Sequence, residues 1–355
     1  MSEGNGKDVR LMKGNEAFAE AAIRAGMDAY FGYPITPQSE ALEYLTREIP
    51  KRRGVVVQAE SEVAAINMIY GAAGAGARVM TSSSSPGISL MQEGISYIAS
   101  AELPCLLVNI NRGGPGLGTI QPSQGDYFQS TRGGGHGDYR TPVLAPATVQ
   151  EMVDFVFEGF RIAEEYRTPT LILADGALGQ MMERVELPPE GSLPHEIPSW
   201  ATTGKTPDRE SNVITSLFIE PEKMEKVNEK LQEKYRSMEK EITFEAENVE
   251  DADIVVVAYG LSSRISQKAM HMAREKEIRV GSFRPKTLYP FPYEALGKLA
   301  ETAKSFLVVE MNAGQMVEDV KLAVNGKRPV GFKGRMGGMI PDPDEILAAI
   351  ENIDN

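Results

Sequence analysis

The chain has a single cysteine, Cys105, in 355 residues. One thiol excludes a disulfide framework, and it cannot by itself hold a cubane iron–sulfur cluster, which takes about four thiolates. Histidine is nearly as scarce: His136, His195 and His271 stand far apart and give no metal-ligand spacing. No run approaches the ~20 apolar residues of a membrane span, and the opening Met1-Ser2-Glu3-Gly4-Asn5-Gly6-Lys7 carries no apolar signal core. Positive charge is in deficit too. With 37 Lys and Arg against 50 Asp and Glu the net charge is −13, which argues against general affinity for nucleic acid or an anionic membrane. The expectation is a soluble, cytoplasmic protein.

Apolar residues make up 42% of the chain, and its length exceeds the roughly 250 residues at which single cores stop growing, so two domains are expected. From Asn15 to about Pro188, apolar runs alternate with helical stretches. Ala29 to Gly32, Val55 to Gln58, Ala77 to Thr81, Cys105 to Ile110 and Thr170 to Ala174 read as strands of an α/β parallel sheet. Cys105 opens such a run, as a buried inert thiol would. Ser85-Pro86-Gly87 offers an N-cap and an N1 proline for a helix through Leu90, Met91, Gly94, Tyr97 and Ile98. Residues 191–250 read as a proline-marked linker. Within it Met224, Val227, Leu231, Tyr235, Met238 and Ile242 recur every three or four residues, the stripe of one long amphipathic helix that packs on its own protein. Ile254 to Tyr259 begins a second α/β unit, 251–355, with a helix from Ser263 to Glu275 and strands from Ile278 to Phe283 and Phe306 to Glu310.

Two motifs in the first unit carry chemistry. Tyr33-Pro34-Ile35-Thr36-Pro37 follows the strand Ala29 to Gly32, and its prolines fix φ on both sides of Thr36, so a hydroxyl is held on a loop. Glu60-Ser61-Glu62-Val63-Ala64-Ala65 follows the strand Val55 to Gln58, and Glu62 opens a small-residue helix through Asn67, Gly71 and Gly74. Read alone, Glu62 fits equally a solvated helix-start glutamate favoured by the dipole. Arg112 ends the strand from Cys105 and enters Gly113-Gly114-Pro115-Gly116-Leu117-Gly118. That loop makes a poor phosphate cradle, since its proline lacks an amide and no Lys-Ser or Lys-Thr follows.

Together with Thr81-Ser82-Ser83-Ser84-Ser85-Pro86-Gly87, Val108-Asn109-Ile110-Asn111-Arg112-Gly113-Gly114-Pro115, Gly135-His136-Gly137-Asp138 and Phe283-Arg284-Pro285-Lys286-Thr287-Leu288-Tyr289-Pro290, these motifs resemble the α subunit of the 2-oxoacid:ferredoxin oxidoreductases. Those enzymes convert a 2-oxoacid such as pyruvate, with coenzyme A, to acyl-CoA, carbon dioxide and reduced ferredoxin. The resemblance covers most of the chain. It implies a thiamine-diphosphate-binding-fold pyrimidine domain over 1–190 and a transketolase C-terminal-like domain over 251–355. Glu62 would bond the pyrimidine ring nitrogen and promote its reactive tautomer, with Tyr33, Pro34 and Ser85 against the cofactor. Thr36 and Arg112 would hold the substrate carboxylate, a task for which the planar guanidinium suits arginine. His136 would bind substrate or move protons, or else stabilise its loop. Gln121 is a further candidate lining residue.

The family's diphosphate and magnesium motif, Gly-Asp-Gly with a later asparagine, is missing; Ala174-Asp175-Gly176 is its nearest approach and reads as an ordinary turn. The resemblance therefore implies a β subunit that binds the diphosphate and Mg2+, and a γ subunit or ferredoxin-like δ subunit, with the 4Fe-4S clusters also on partner chains. The segment from Gly113 to Tyr127 looks like the branch acting on 3-methyl-2-oxobutanoate; 2-oxoglutarate is the alternative, because Arg132 and Arg140 are close in sequence. A non-catalytic assembly subunit is the rival from another class.

Overall fold

The structure is a computed structural model and describes residues 8–354; the opening segment Met1 to Lys7 lies outside the described residues. Its fourteen strands are β1 Asp8–Lys13, β2 Ala29–Gly32, β3 Val55–Gln58, β4 Val79–Ser83, β5 Cys105–Asn111, β6 Val143–Leu144, β7 Pro169–Asp175, β8 Met182–Leu187, β9 Phe244–Glu247, β10 Ile254–Val257, β11 Val280–Pro285, β12 Thr287–Tyr289, β13 Ser305–Glu310 and β14 Val330–Gly334. They form a seven-stranded sheet in the order β12-β6-β7-β5-β4-β2-β3, a five-stranded sheet β14-β13-β10-β11-β9, and the pair β1-β8. In the large sheet only β12 runs antiparallel to its neighbour. Its middle strands β5 and β7 are buried at every residue, because helices cover both faces, and they are accordingly almost continuous apolar runs. Cys105 opens β5 and is 1% exposed; burial pushes its thiol far above the ordinary range, which leaves it inert.

Chain order within this sheet fixes where a ligand can sit. From β2 the chain goes to β3 on one side and then crosses to β4 on the other, so the connections part between β2 and β4. In open parallel sheets the crevice beyond the carboxyl ends of such strands is the natural binding site. The loop from Tyr33, the helix from Glu62 and the helix from Ser85 all begin at that edge.

The second sheet has a different burial logic. On β10, Val255 and Val257 join the core shared with the large sheet, while Ile254 and Val256 join a smaller cluster under the helices Gly260–Glu275 and Pro343–Asp354. A strand buried on both faces reads as four apolar residues in a row.

Two short strands cross the expected domain limits. β9, inside the segment read as linker, is the antiparallel edge of the second sheet. β12, inside the C-terminal segment, pairs with β6 and forms the outer edge of the first sheet. The linker helix is present as Pro221–Ser237, and its stripe packs on its own protein through Leu231, Tyr235 and Met238. Between Pro188 and this helix the chain is lashed to the first unit by the Arg78 guanidinium, which donates to the carbonyls of Leu193 and Pro194. Among the described residues no helix is long and apolar enough to cross a membrane.

A charged clamp joins the two units. Glu151 on the helix Val149–Tyr166 receives both Arg284 Nη atoms at 2.9 and 2.6 Å and the Lys286 ammonium at 3.0 Å. Burial alone would raise the Glu151 carboxyl; the bonds from Arg284, the Ala147 amide and Lys286 overrule it and hold it at about 2. A carboxyl depressed in the folded state stabilises fully above its ordinary value of 4.5, and that contribution is lost as the pH falls towards 2. Glu151→Gln should therefore cost about 2 kcal/mol at neutral pH, less than full unpairing of a buried cation, because Arg284 and Lys286 keep Glu245 as a partner. In denaturant titrations at stepped pH, the gap between wild type and variant should close below pH 4.5; a gap that persists unchanged to pH 3 would contradict it.

Candidate active site

The crevice is built around the first turn of the helix Ser85–Ser100, which follows β4 with Pro86 at its second position. Its N-cap is Ser84, one residue before the serine expected, and the Ser84 hydroxyl is turned away to donate to the Ile110 carbonyl at 2.7 Å. Ser85 ties the turn to the end of β5: its hydroxyl accepts from the Arg112 amide at 3.0 Å and donates within 3.2 Å to Asn111 Oδ1 and the Arg112 carbonyl. Ser85 thus holds two strands' ends together, and its bonding capacity is taken up by protein groups.

Glu62 starts the helix Glu62–Gly74, capped by the Ser61 hydroxyl, which accepts from the Ala64 amide at 3.2 Å. Glu62 is 5% exposed, and its carboxylate has no hydrogen bond or ion pair among the described residues. It lies over Gly87. A Cβ added at residue 87 would stand 2.5 Å from Glu62 Oε1 and 2.0 Å from Ser83 Oγ, so only glycine admits the carboxylate there. Two helix N-termini, its own and that of Ser85–Ser100, turn partial positive charge towards it. Glu60, in the bend before this helix, is exposed to solvent.

Arg112 and Thr36 come together. Arg112 Nη1 donates to the Thr36 carbonyl at 2.9 Å and Nη2 to the Leu117 carbonyl at 3.1 Å. That uses two of five guanidinium N–H donors, and Nε is buried without a partner. The Thr36 side chain is exposed, as are Tyr33 and Pro34 on the same loop. His136 is not gathered with them. It packs on Ser96, with Nδ1 at 3.4 Å from the hydroxyl, and edge-on to Tyr97, nine residues and roughly 13 Å along the helix from Gly87.

Three residues without an assigned role complete the crevice. Ser83 Oγ and Asn111 Nδ2 are buried and unpartnered. Asp126 accepts from Asn109 Nδ2 at 2.8 Å, and burial raises its carboxyl against the bonds from Ser85 and Asn109. The only sequence signal for Ser83 and Asn111 was their place in the motifs at the ends of β4 and β5, and Asp126 lies outside both motifs. Asp175, by contrast, is spent as a cap: it accepts from the amides of Ala177 and Leu178 at 2.9 and 3.1 Å. Among the described residues no three His, Cys, Asp or Glu side chains group as metal ligands.

The orphaned polar atoms fit an aminopyrimidine. Such a ring presents a nitrogen that pairs with a carboxylate, and Glu62 offers one that no group among the described residues occupies.

Comparison with known proteins places the chain in a family. A family described as "Pyruvate flavodoxin/ferredoxin oxidoreductase, thiamine diP-bdg" matches residues 20–271, and "Pyruvate:ferredoxin oxidoreductase core domain II" matches 252–346. The ketoisovalerate oxidoreductase subunit VorB of Methanothermobacter marburgensis is 50% identical over 97% of this chain and 98% of the relative. The 2-oxoglutarate synthase subunit KorA of Methanocaldococcus jannaschii is 39% identical over 96% of this chain and 99% of the relative. Among solved structures, the 2-oxoglutarate:ferredoxin oxidoreductase of Magnetococcus marinus, with 2-oxoglutarate, coenzyme A and succinyl-CoA bound, superposes with a TM-score of 0.85 at 28% identity. It covers 98% of this chain, which spans 65% of that longer one.

The packing of Glu62 on Gly87 can be tested without any ligand. Gly87→Ala should destabilise the chain by about 1–3 kcal/mol through overpacking. Gly71→Ala, on an exposed helix position with nothing within 4 Å, should instead stabilise it by about 0.5–1 kcal/mol. Denaturant midpoints of the two variants that moved the same way would refute the contact.

Proposed function

Since the chain belongs to the 2-oxoacid:ferredoxin oxidoreductase family and carries its thiamine-diphosphate-binding domain, we propose that it is the α subunit supplying the pyrimidine half of the cofactor site. The observation that carries this reading is the Glu62 carboxylate, buried and unpartnered at the switch point of a parallel sheet. A carboxylate so largely enclosed and without a protein partner is available to a ligand group.

When bound, thiamine diphosphate supplies the carbanion chemistry that cleaves a 2-oxoacid beside its carbonyl. Glu62 holds a proton between its oxygen and the pyrimidine nitrogen. Ser83 Oγ and Asn111 Nδ2 fix the ring's orientation. Arg112, anchored at Thr36 and Leu117, turns its remaining N–H donors to the substrate carboxylate, and the exposed Thr36 hydroxyl adds a further contact. Gly87 and the Glu62 helix close the floor of the crevice against water.

The other half of the site belongs to partner chains in this reading. A β subunit would hold the diphosphate and Mg2+, and γ or ferredoxin-like δ chains would hold the 4Fe-4S clusters that pass electrons to ferredoxin, while coenzyme A takes the acyl group. The buried lone thiol and the capping role of Asp175 support that division.

For the substrate, 3-methyl-2-oxobutanoate is the better candidate. The relative named for ketoisovalerate is 50% identical, against 39% for the one named for 2-oxoglutarate. Of the two cations that could have met a distal carboxylate, only Arg132 is neutralised by an acid. Arg132 pairs with Asp319 at 2.8 Å, and Arg140 donates to the Tyr139 carbonyl at 3.0 Å. The loop after Arg112 offers exposed Leu117 and Ile120 instead.

In the reconstituted complex, Glu62→Gln should lower kcat by roughly 10²–10⁴ without unfolding the subunit. Activity within twofold of wild type would favour a non-catalytic assembly subunit. Arg112→Ala should lower kcat/KM for every 2-oxoacid by roughly 30-fold to several thousand-fold, matching the loss of about 2–5 kcal/mol for a buried charge partner. The ratio between 3-methyl-2-oxobutanoate and 2-oxoglutarate should stay constant, with the former preferred. A clear preference for 2-oxoglutarate would overturn the substrate assignment.

A further inference from the structure

The C-terminal unit reaches the loop that follows Arg112 and grips it at both ends. At its far end, Gln124 is 3% exposed, and its side-chain amide is bonded wholly to the second sheet. Nε2 donates to the Tyr259 carbonyl at 2.8 Å beyond β10, and Oε1 accepts from the Ser262 hydroxyl at 2.7 Å and the Met311 amide at 2.9 Å beyond β13. At its near end, glycine backbone of the C-terminal unit packs on Gly113 and on the side chains of Thr119 and Gln121. The chain leaving β14 turns at Gly337, with φ +64°, and Gly338, with φ +92°. A Cβ added at Gly338 would stand 2.5 Å from Gln121 Cβ and 2.9 Å from Thr119 Cγ2. One added at Gly113 would stand 2.9 Å from the Gly338 nitrogen. Both faces of this contact are therefore limited to glycine.

The gripped segment is a closed ring. Gly113 N–H donates to the Gln121 carbonyl at 2.9 Å, and Thr119 N–H returns to the Gly113 carbonyl at 2.8 Å. Arg112 Nη2 is bonded to Leu117 inside that ring, so the direction of the guanidinium depends on the ring's position.

We propose that Gly338 and Gln124 are positioning residues for the 2-oxoacid: the C-terminal unit sets the ring Gly113–Gln121, and through it the aim of Arg112. This rests on Arg112 meeting the substrate carboxylate, as read above. A residue acting in this way governs capture of substrate more than turnover of bound substrate.

Gly338→Ala in the assembled enzyme should raise KM for every 2-oxoacid about 10-fold with kcat within twofold, and the Gly113 and Thr119 amides should exchange hydrogen faster. Thr119→Ser, which removes only the methyl wedged against Gly338 and keeps the fold, should move the same quantities in the same direction by a smaller factor. Gly326→Ala controls for backbone strain: Gly326 has φ +72° in the same unit, with nothing within 4 Å. It should leave KM unchanged. Arg112→Ala is run in parallel. If it lowers kcat/KM while Gly338→Ala and Thr119→Ser leave KM within twofold, the positioning role is overturned. An equal rise in KM for Gly326→Ala and Gly338→Ala overturns it as well. If Arg112→Ala has no effect on kcat/KM, the carboxylate reading fails instead, and amide exchange alone decides whether Gly338 sets the ring.

Discussion

A side chain at residue 87 would displace the acid that the crevice is built around. The Glu62 carboxylate and the Ser83 hydroxyl occupy the space a Cβ would need, and that close approach lets the acid lie buried at the mouth of a parallel sheet. The rest of the crevice depends on the same helix turn. Ser84 is bonded to β5 at Ile110, Ser85 to Asn111 and the Arg112 backbone, and Arg112 in turn to the Thr36 loop beyond β2. One turn of helix therefore sets the positions of groups contributed by four strands. A shift of the turn by a fraction of an ångström would move the acid, the arginine and the threonine together.

The sheet edge is charged but economical in charge. Glu62 faces helix N-termini and glycine rather than a cation, so its oxygens stay available, whereas the acids that only hold the fold together are saturated. Glu151 binds Arg284 and Lys286, and the fully buried Glu20 takes Arg24 and Arg52 at 2.8 Å. An unpaired buried acid among so many paired ones marks the place where the folded chain is incomplete by itself.

Most of the architecture was legible because the strands of a covered parallel sheet are short apolar runs, and each expected strand lies within two residues of the observed one. The exceptions are instructive. β6 has two residues and β12 three, too few for any periodicity; β6 is a strand through its pairing with β7 and β12, and β12 through its pairing with β6. β9 has exposed and charged residues, and its strand character comes from pairing with β11. At the site, Glu62, Thr36 and Arg112 were recognisable from spacing and resemblance. The buried Ser83, Asn111 and Asp126 were not, since a serine, an asparagine or an aspartate at a strand end gives no local sign of being unpartnered or desolvated. For His136 the sequence left substrate contact and loop stabilisation open, and the packing against Ser96 and Tyr97 is of the second kind.

The three residues of β12 have a consequence for the order in which the molecule can be made. The first sheet is not complete when its own consecutive segment has been synthesised, because the outer edge of β6 stays open until Thr287–Tyr289 arrives. During translation the N-terminal unit must wait for more than a hundred further residues after β7 before its last hydrogen-bonded neighbour emerges. The same strand limits how the chain can be divided between genes. A cut in the segment before β10 would leave each product with part of the other's sheet, so the two family segments, although recognised separately, are one folding unit.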